Sequence, residues 1–110
     1  MPYAYKILGQ SYRTTTAEGD LYTVPSATSA IASSVVVANQ TTAPVTFRLS
    51  VAIAGATAAS AQYLFYDITI DPNDTHYYDL GITLAATDKV RVTAGTANAL
   101  SFNLFGTEIT

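Results

Sequence analysis

Residues 45–53 alternate one by one. Val45, Phe47, Leu49, Val51 and Ile53 are large and apolar, while Thr46, Arg48, Ser50 and Ala52 between them are small or polar. A period of two over this length describes a β-strand with one face buried, because an α-helix would scatter the same residues around its axis. The first set is expected to point into a core. Residues 62–70 alternate again, with Leu64, Tyr66, Ile68 and Ile70 on one face and Tyr63, Phe65, Asp67 and Thr69 on the other. Large residues on both faces suit a strand covered on both sides, by a core and by a partner chain.

The rest of the chain follows the same rhythm. Residues 20–24 read as a short strand that places Leu21 and Val24 in the core and stops at Pro25. In 29–39, Ile31, Val35 and Val37 share one face and Val36 takes the other. Residues 75–80, 89–93 and 99–105 complete the series, with Val90, Val92, Leu100, Phe102 and Leu104 inward. Asp71-Pro72-Asn73-Asp74 is a strong turn, since Pro72 fixes φ and Asn or Asp tolerate turn geometry. Residues 54–61 are small, include Gly55, and read as a loop. No helix of ordinary length is supported. Seven to eight strands with frequent turn signals predict an all-β fold, an antiparallel β-sandwich of jelly-roll type. Residues 1–16 are expected to form an N-terminal arm or edge strand, and 17–110 a single sandwich domain.

Charge and reactive side chains limit what such a domain can do. Charged residues make up 12% of the 110, about half the usual share, and the net charge is −3. The five Lys and Arg residues are scattered, which argues against nucleic acid and anionic membranes as partners. There is no cysteine, hence no disulfide, thiolate nucleophile or Cys metal site. No basic-then-apolar leader precedes the first strand, so synthesis and folding in a cytoplasm are expected, and the two Asn-x-Thr matches at Asn39 and Asn73 are taken as chance.

Catalysis finds little to work with. His76 is the one histidine; it calls for a surface role in preference to a metal site. Asp71, Asn73 and Asp74 lack the spacing of a calcium loop and serve the turn. Asp67 sits in mid-strand, where an ion pair with Arg48 or Arg91 across strands explains it better than general-acid chemistry does. No nucleophile elbow or phosphate loop occurs. The chain is expected to be no enzyme and to need no cofactor or metal.

Tyrosine is the unusual component: eight residues, with no tryptophan. Tyr combines a large apolar ring with a bonding tip and is enriched at protein interfaces. Tyr63, Phe65 and Tyr77 are candidates for one exposed aromatic contact patch. Tyr3, Tyr5 and Tyr12 are candidates for a second contact, carried by the N-terminal segment.

The run Asp20-Leu21-Tyr22-Thr23-Val24-Pro25, the strand ending Val35-Val36-Val37-Ala38-Asn39, and Val45-Thr46-Phe47-Arg48-Leu49 together resemble small β-sandwich virion proteins of tailed bacteriophages, cyanophages included. Asp88-Lys89-Val90-Arg91-Val92 and Leu100-Ser101-Phe102-Asn103 continue the likeness, which spans about residues 5–110. The resemblance implies a structural virion protein on the particle surface. A capsid cement or decoration subunit is the favoured form, a self-associating chain (a trimer) bound to the major capsid protein or another virion protein. A tail, neck or fibre component is the alternative within that class. A carbohydrate-binding module using the same tyrosines is the rival outside it, and the missing tryptophan counts against it.

Overall fold

The alternating stretches become eight strands, all paired antiparallel, in a computed structural model that describes residues 2–110. They are β1 (Tyr3–Tyr12), β2 (Gly19–Thr23), β3 (Ser29–Asn39), β4 (Val45–Ala52), β5 (Tyr63–Ile70), β6 (Thr75–Leu84), β7 (Lys89–Ala94) and β8 (Leu100–Ile109). One sheet has the order β1-β8-β3-β6 and the other β2-β7-β4-β5. Every connection except the β4–β5 hairpin crosses from one sheet to the other. That connectivity is a jelly roll, as the strand count and turn spacing predict. Two short 3-10 turns, Ile53–Gly55 and Ser60–Gln62, occupy the loop after β4.

The core lies between the sheets. β4 and β7 contribute Phe47, Leu49, Val90 and Val92; β3 and β8 contribute Val35, Val37, Leu100, Phe102 and Leu104, all essentially buried. Removing each such side chain from water stabilises the fold by about 1.5–3 kcal/mol. Phe47 is the hub. Its ring centroid lies 5.8 Å from Phe65, 6.0 Å from Tyr78 and 6.0 Å from Phe102. Tyr3–Tyr12 pairs with β8 along its length, so this segment is an edge strand of the sandwich and not a free arm.

Three of the expected same-face groups break, two of them at bulges. In β5 the register moves from Phe47↔Ile68 to Leu49↔Phe65, two steps on β4 against three on β5. The extra residue is a bulge at Asp67, whose φ is 53°. It resets the alternation: Phe65 turns toward the core, while Leu64 and Tyr66 are exposed. In β3 a bulge between Ala32 and Ser34 does the same, so Ala30 and Ala32 face in and Ile31 faces out. At the end of β4 the chain leaves the sheet after Ala52, turns through Ala54 at φ 51°, and leaves Ile53 in solvent.

Buried Asn39 organises the loops at one end. Its Oδ1 accepts from the Thr41 amide and hydroxyl, at 3.0 and 2.8 Å. Its Nδ2 points at the carbonyl oxygens of Ala43, Ile70 and Asp71, at 2.9 to 3.2 Å. One side chain thus ties the β3–β4 connection to the β5–β6 turn.

Candidate interaction surfaces

The outward face of the β1-β8-β3-β6 sheet follows directly from its register. Tyr3 pairs with Ile109, Tyr5 with Thr107 and Ile7 with Phe105; β8 in turn pairs Thr107 with Ile31 and Phe105 with Ser34. Cross-strand partners share a face. These residues lie opposite the core-facing set of Leu8, Leu104, Ala30 and Ala32. Past the bulge at Leu8, Gln10 pairs with Asn103, Asn103 with Val36, and Val36 with Tyr77. The Gln10 amide donates to Asn103 Oδ1 at 2.6 Å.

This face is aromatic, aliphatic and hydroxylic. Tyr3, Tyr5, Ile7, Tyr12, Ile31 and Tyr77 on it are all substantially exposed, Tyr5 at 83%. Asp79 on β6 carries the one formal charge in these rows. Lys6 and Glu108, though on the same strands, project from the other side, where they pair at 2.7 Å. A four-stranded face about ten residues long covers on the order of 650 Å². A stable protein interface buries about 800 Å² per partner, so this one face approaches the required size.

The outward face of the second sheet is different in kind. The Arg48 guanidinium donates to both carboxylate oxygens of Asp67, at 2.7 and 3.2 Å, and lies 4.0 Å from the Tyr66 ring centroid. The Tyr63 and Tyr66 rings meet edge to face at 5.2 Å. Hydrogen bonding to Arg48 holds the Asp67 carboxyl below the usual range, and the same bond raises the Arg48 pKa. Farther along, Asp20 bonds Lys89 at 2.7 Å and Arg91 at 3.3 Å, and those contacts, Lys89 first, lower its pKa. Arg91 also donates to the carbonyls of Ala56 and Gly55. Ser50, buried although outward, donates to Glu18 at 3.2 Å.

The expected contact residues therefore fall into separate groups. Tyr3, Tyr5 and Tyr12 share the neutral face, and Tyr77 joins them there. Tyr63 belongs to the charged face. Phe65 belongs to neither: it packs inward with its ring centroid 4.7 Å from Tyr78. A single patch of Tyr63, Phe65 and Tyr77 does not exist. Ile7, Ile31, Phe105, Ile109 and Tyr66 are surface-forming residues that the alternation alone misplaces or passes over. Gly9 and Gly106, glycines inside strand patterns, are the signals that point to the irregularities in that sheet.

His76 accepts or donates at Nδ1 with the Tyr78 hydroxyl at 2.7 Å and has Asp74 3.7 Å from Nε2. Among the described residues, no group of three or more His, Cys, Asp or Glu side chains is placed to hold a metal ion. Among the described residues, no helix is long and apolar enough to cross a membrane.

No protein-family model matches the chain, and no curated protein matches it in sequence. Among solved structures it is similar to the infectious bursal disease virus VP2 subviral particle (TM-score 0.53, 11% identity), covering 97% of this chain and 31% of that one. It is also similar to the Bacillus endospore appendages described as disulfide-linked pili (TM-score 0.55, 13% identity), covering 98% of this chain and 88% of that one. A third likeness is to a chain of the Helicobacter pylori bacteriophage KHP30 capsid (TM-score 0.50, 14% identity), covering 99% of this chain and 98% of that one. The chain thus spans about a third of the bursal disease virus chain and nearly all of the phage chain. At these identities the likenesses establish a shared fold: the jelly-roll sandwich of viral capsid proteins, which also occurs in a spore appendage.

Proposed function

We propose that this protein is a structural virion subunit of a tailed phage, and specifically a capsid cement protein that bridges neighbouring capsid subunits from the particle surface. The observation that carries the reading is the neutral, tyrosine- and isoleucine-lined face of the β1-β8-β3-β6 sheet, left uncovered in one chain. Aromatic and aliphatic side chains with almost no charge describe the centre of a protein interface, where charged groups are depleted. The fold likeness to viral shell chains, one of them the size of this whole chain, supports the same reading. The spore-appendage likeness suggests a different assembly, but disulfide-linked pili need cysteine and this chain has none.

The mechanism is linkage. A protein that binds only the assembled shell stabilises the shell by its binding free energy, repeated at every lattice site. Self-association, as a trimer, and contact with the major capsid protein would share the neutral face and the β1 edge. The test is localisation and rebinding. Gold-labelled antibody should decorate the whole capsid of intact virions, and purified protein should reattach to capsids stripped of it. Label confined to the tail, the neck or one vertex would replace cement with a tail or neck role. Failure to label virions at all would end the virion reading.

A further inference from the structure

The bulge at Asp67 opens a cleft on the opposite side of the sandwich from the neutral face. The cleft measures about 350 Å³; Thr16, Thr46, Arg48, Asp67, Thr93 and Gly95 line it together with Phe47 and Ala94. That volume is near the lower end for small-molecule sites, about 300–1,000 Å³. Gly95 keeps one wall open, since a Cβ there would collide with Thr46 Oγ1.

The chemistry of the lining is selective. Arg48 and Asp67 are fully paired with each other, so the cleft presents no net charge. A phosphate or carboxylate ligand would have to displace Asp67 from Arg48, whereas a neutral ligand would not. Arg48 still offers donors and Asp67 still offers lone pairs, because a guanidinium carries five N–H groups and a carboxylate accepts about four bonds. Three threonine hydroxyls, able to donate or accept, surround the pair. The Tyr66 ring, 57% exposed, lies against Arg48 at 4.0 Å. Adjacent donors, acceptors and hydroxyls match vicinal hydroxyls on a sugar ring, and Tyr66, outside the lining, backs the Arg48 guanidinium.

The bulge sets the charged pair at the surface of the cleft. Asp67 holds a left-handed φ inside a strand, a conformation that Asp adopts more readily than most residues with a Cβ. The ion pair it gains is solvent-exposed, with side chains 33% and 48% accessible, and is held by two N–H···O bonds. Tyr66 stands in water beside it.

We propose that this cleft binds a neutral saccharide of one or two rings, with Asp67 and Arg48 taking adjacent hydroxyls and Thr46 and Thr93 fixing the ring orientation. The inference is independent of the virion role, because it concerns the other sheet. The test is an amide chemical-shift titration of the full ¹⁵N-labelled chain with methyl glucoside, methyl galactoside, N-acetylglucosamine and maltose, with sodium sulfate and glycerol as controls. At least one sugar should shift the Thr16, Asp67, Thr93 and Gly95 amides in a saturable way while both controls leave them in place. Asp67→Asn keeps the tolerance for left-handed φ, and Thr93→Val keeps the shape; each should weaken that sugar by roughly tenfold, with the remaining spectrum unchanged. The proposal is overturned if none of the four sugars shifts these amides, if sulfate or glycerol shifts them equally, or if both variants bind as tightly as the parent.

Discussion

The Tyr22 hydroxyl donates to Glu108 Oε2 across 2.6 Å, joining β2 of one sheet to β8 of the other. Lys6 Nζ reaches the second oxygen of the same carboxylate at 2.7 Å. The two bonds, Lys6 first, hold Glu108 below its usual range, and burial with the Glu108 contact pushes the Tyr22 hydroxyl well above its own.

Both shifts predict the pH profile of stability. Glu108 has a folded pKa lowered from about 4.5, so its contribution is present above that value and is lost as pH falls through the folded pKa. Tyr22 has a folded pKa raised from 10.0, so its contribution is complete below pH 10 and is lost above it. Thermal unfolding should therefore show a plateau between about pH 5 and pH 10 with falls on both sides. In Glu108→Gln the acid-side fall should become shallower, as followed by circular dichroism at successive pH values.

Asn39 gives a second pH-dependent prediction. Asn39→Ala leaves the Thr41 amide and three carbonyls without their partner and should destabilise by about 1–3 kcal/mol in urea unfolding. Asn39→Asp sets a carboxylate against those carbonyls. It should be less stable than Asn39→Ala at neutral pH and recover part of the loss on acidification, when the acid regains an O–H donor.

Glycine substitutions separate two kinds of strain. A Cβ at Gly106 would strike the Ile31 carbonyl and the Leu8 side chain, where β8 passes close to β3 and β1. Gly106→Ala should therefore cost about 1–3 kcal/mol through displaced backbone. A Cβ at Gly81 meets open space, but the residue has φ +61°. Gly81→Ala should cost about 1 kcal/mol from conformation alone. Denaturant midpoints of the two variants check the order.

Phe47→Ala should be the most damaging core change considered. It removes a buried ring that three other aromatic rings approach within 6.0 Å, at a cost of about 3–5 kcal/mol. Against a total stability of about 5–15 kcal/mol, the variant should be substantially unfolded when warmed to physiological temperature.

On the neutral face, stability and attachment should separate. Tyr5 is 83% exposed, so Tyr5→Ser should change unfolding free energy by no more than about 0.5 kcal/mol. Combined with Ile7→Thr, it should abolish reattachment to stripped capsids in a sedimentation assay.

Strand existence was legible in the residues, and so was the facing of β7, β8 and the first half of β4. Val90, Val92, Phe102 and Leu104 are buried as their alternation requires. What alternation could not supply was phase across a bulge. One inserted residue at Asp67 reverses every later side chain relative to the earlier ones, and that sent Phe65 inward and Tyr66 outward. The Asp67–Arg48 pair was readable because charged residues on neighbouring strands seek each other; Asp67's role in the bulge was not, since Asp adopts positive φ without any sequence mark. The joining of Tyr3–Tyr12 to β8 depends on contacts nearly the whole chain apart, which local patterns do not encode.

The position of β8 bears on how the protein is made. It lies between β1 and β3, yet it follows all seven other strands in the chain. While β8 is still inside the ribosome, β1 has no partner, and the tyrosines and isoleucine of that strand remain in an open, adhesive ribbon. The sheet can close only once β8 has been made, so its folding is paced by long-range loop closure, in the millisecond-to-second regime of β-sandwiches.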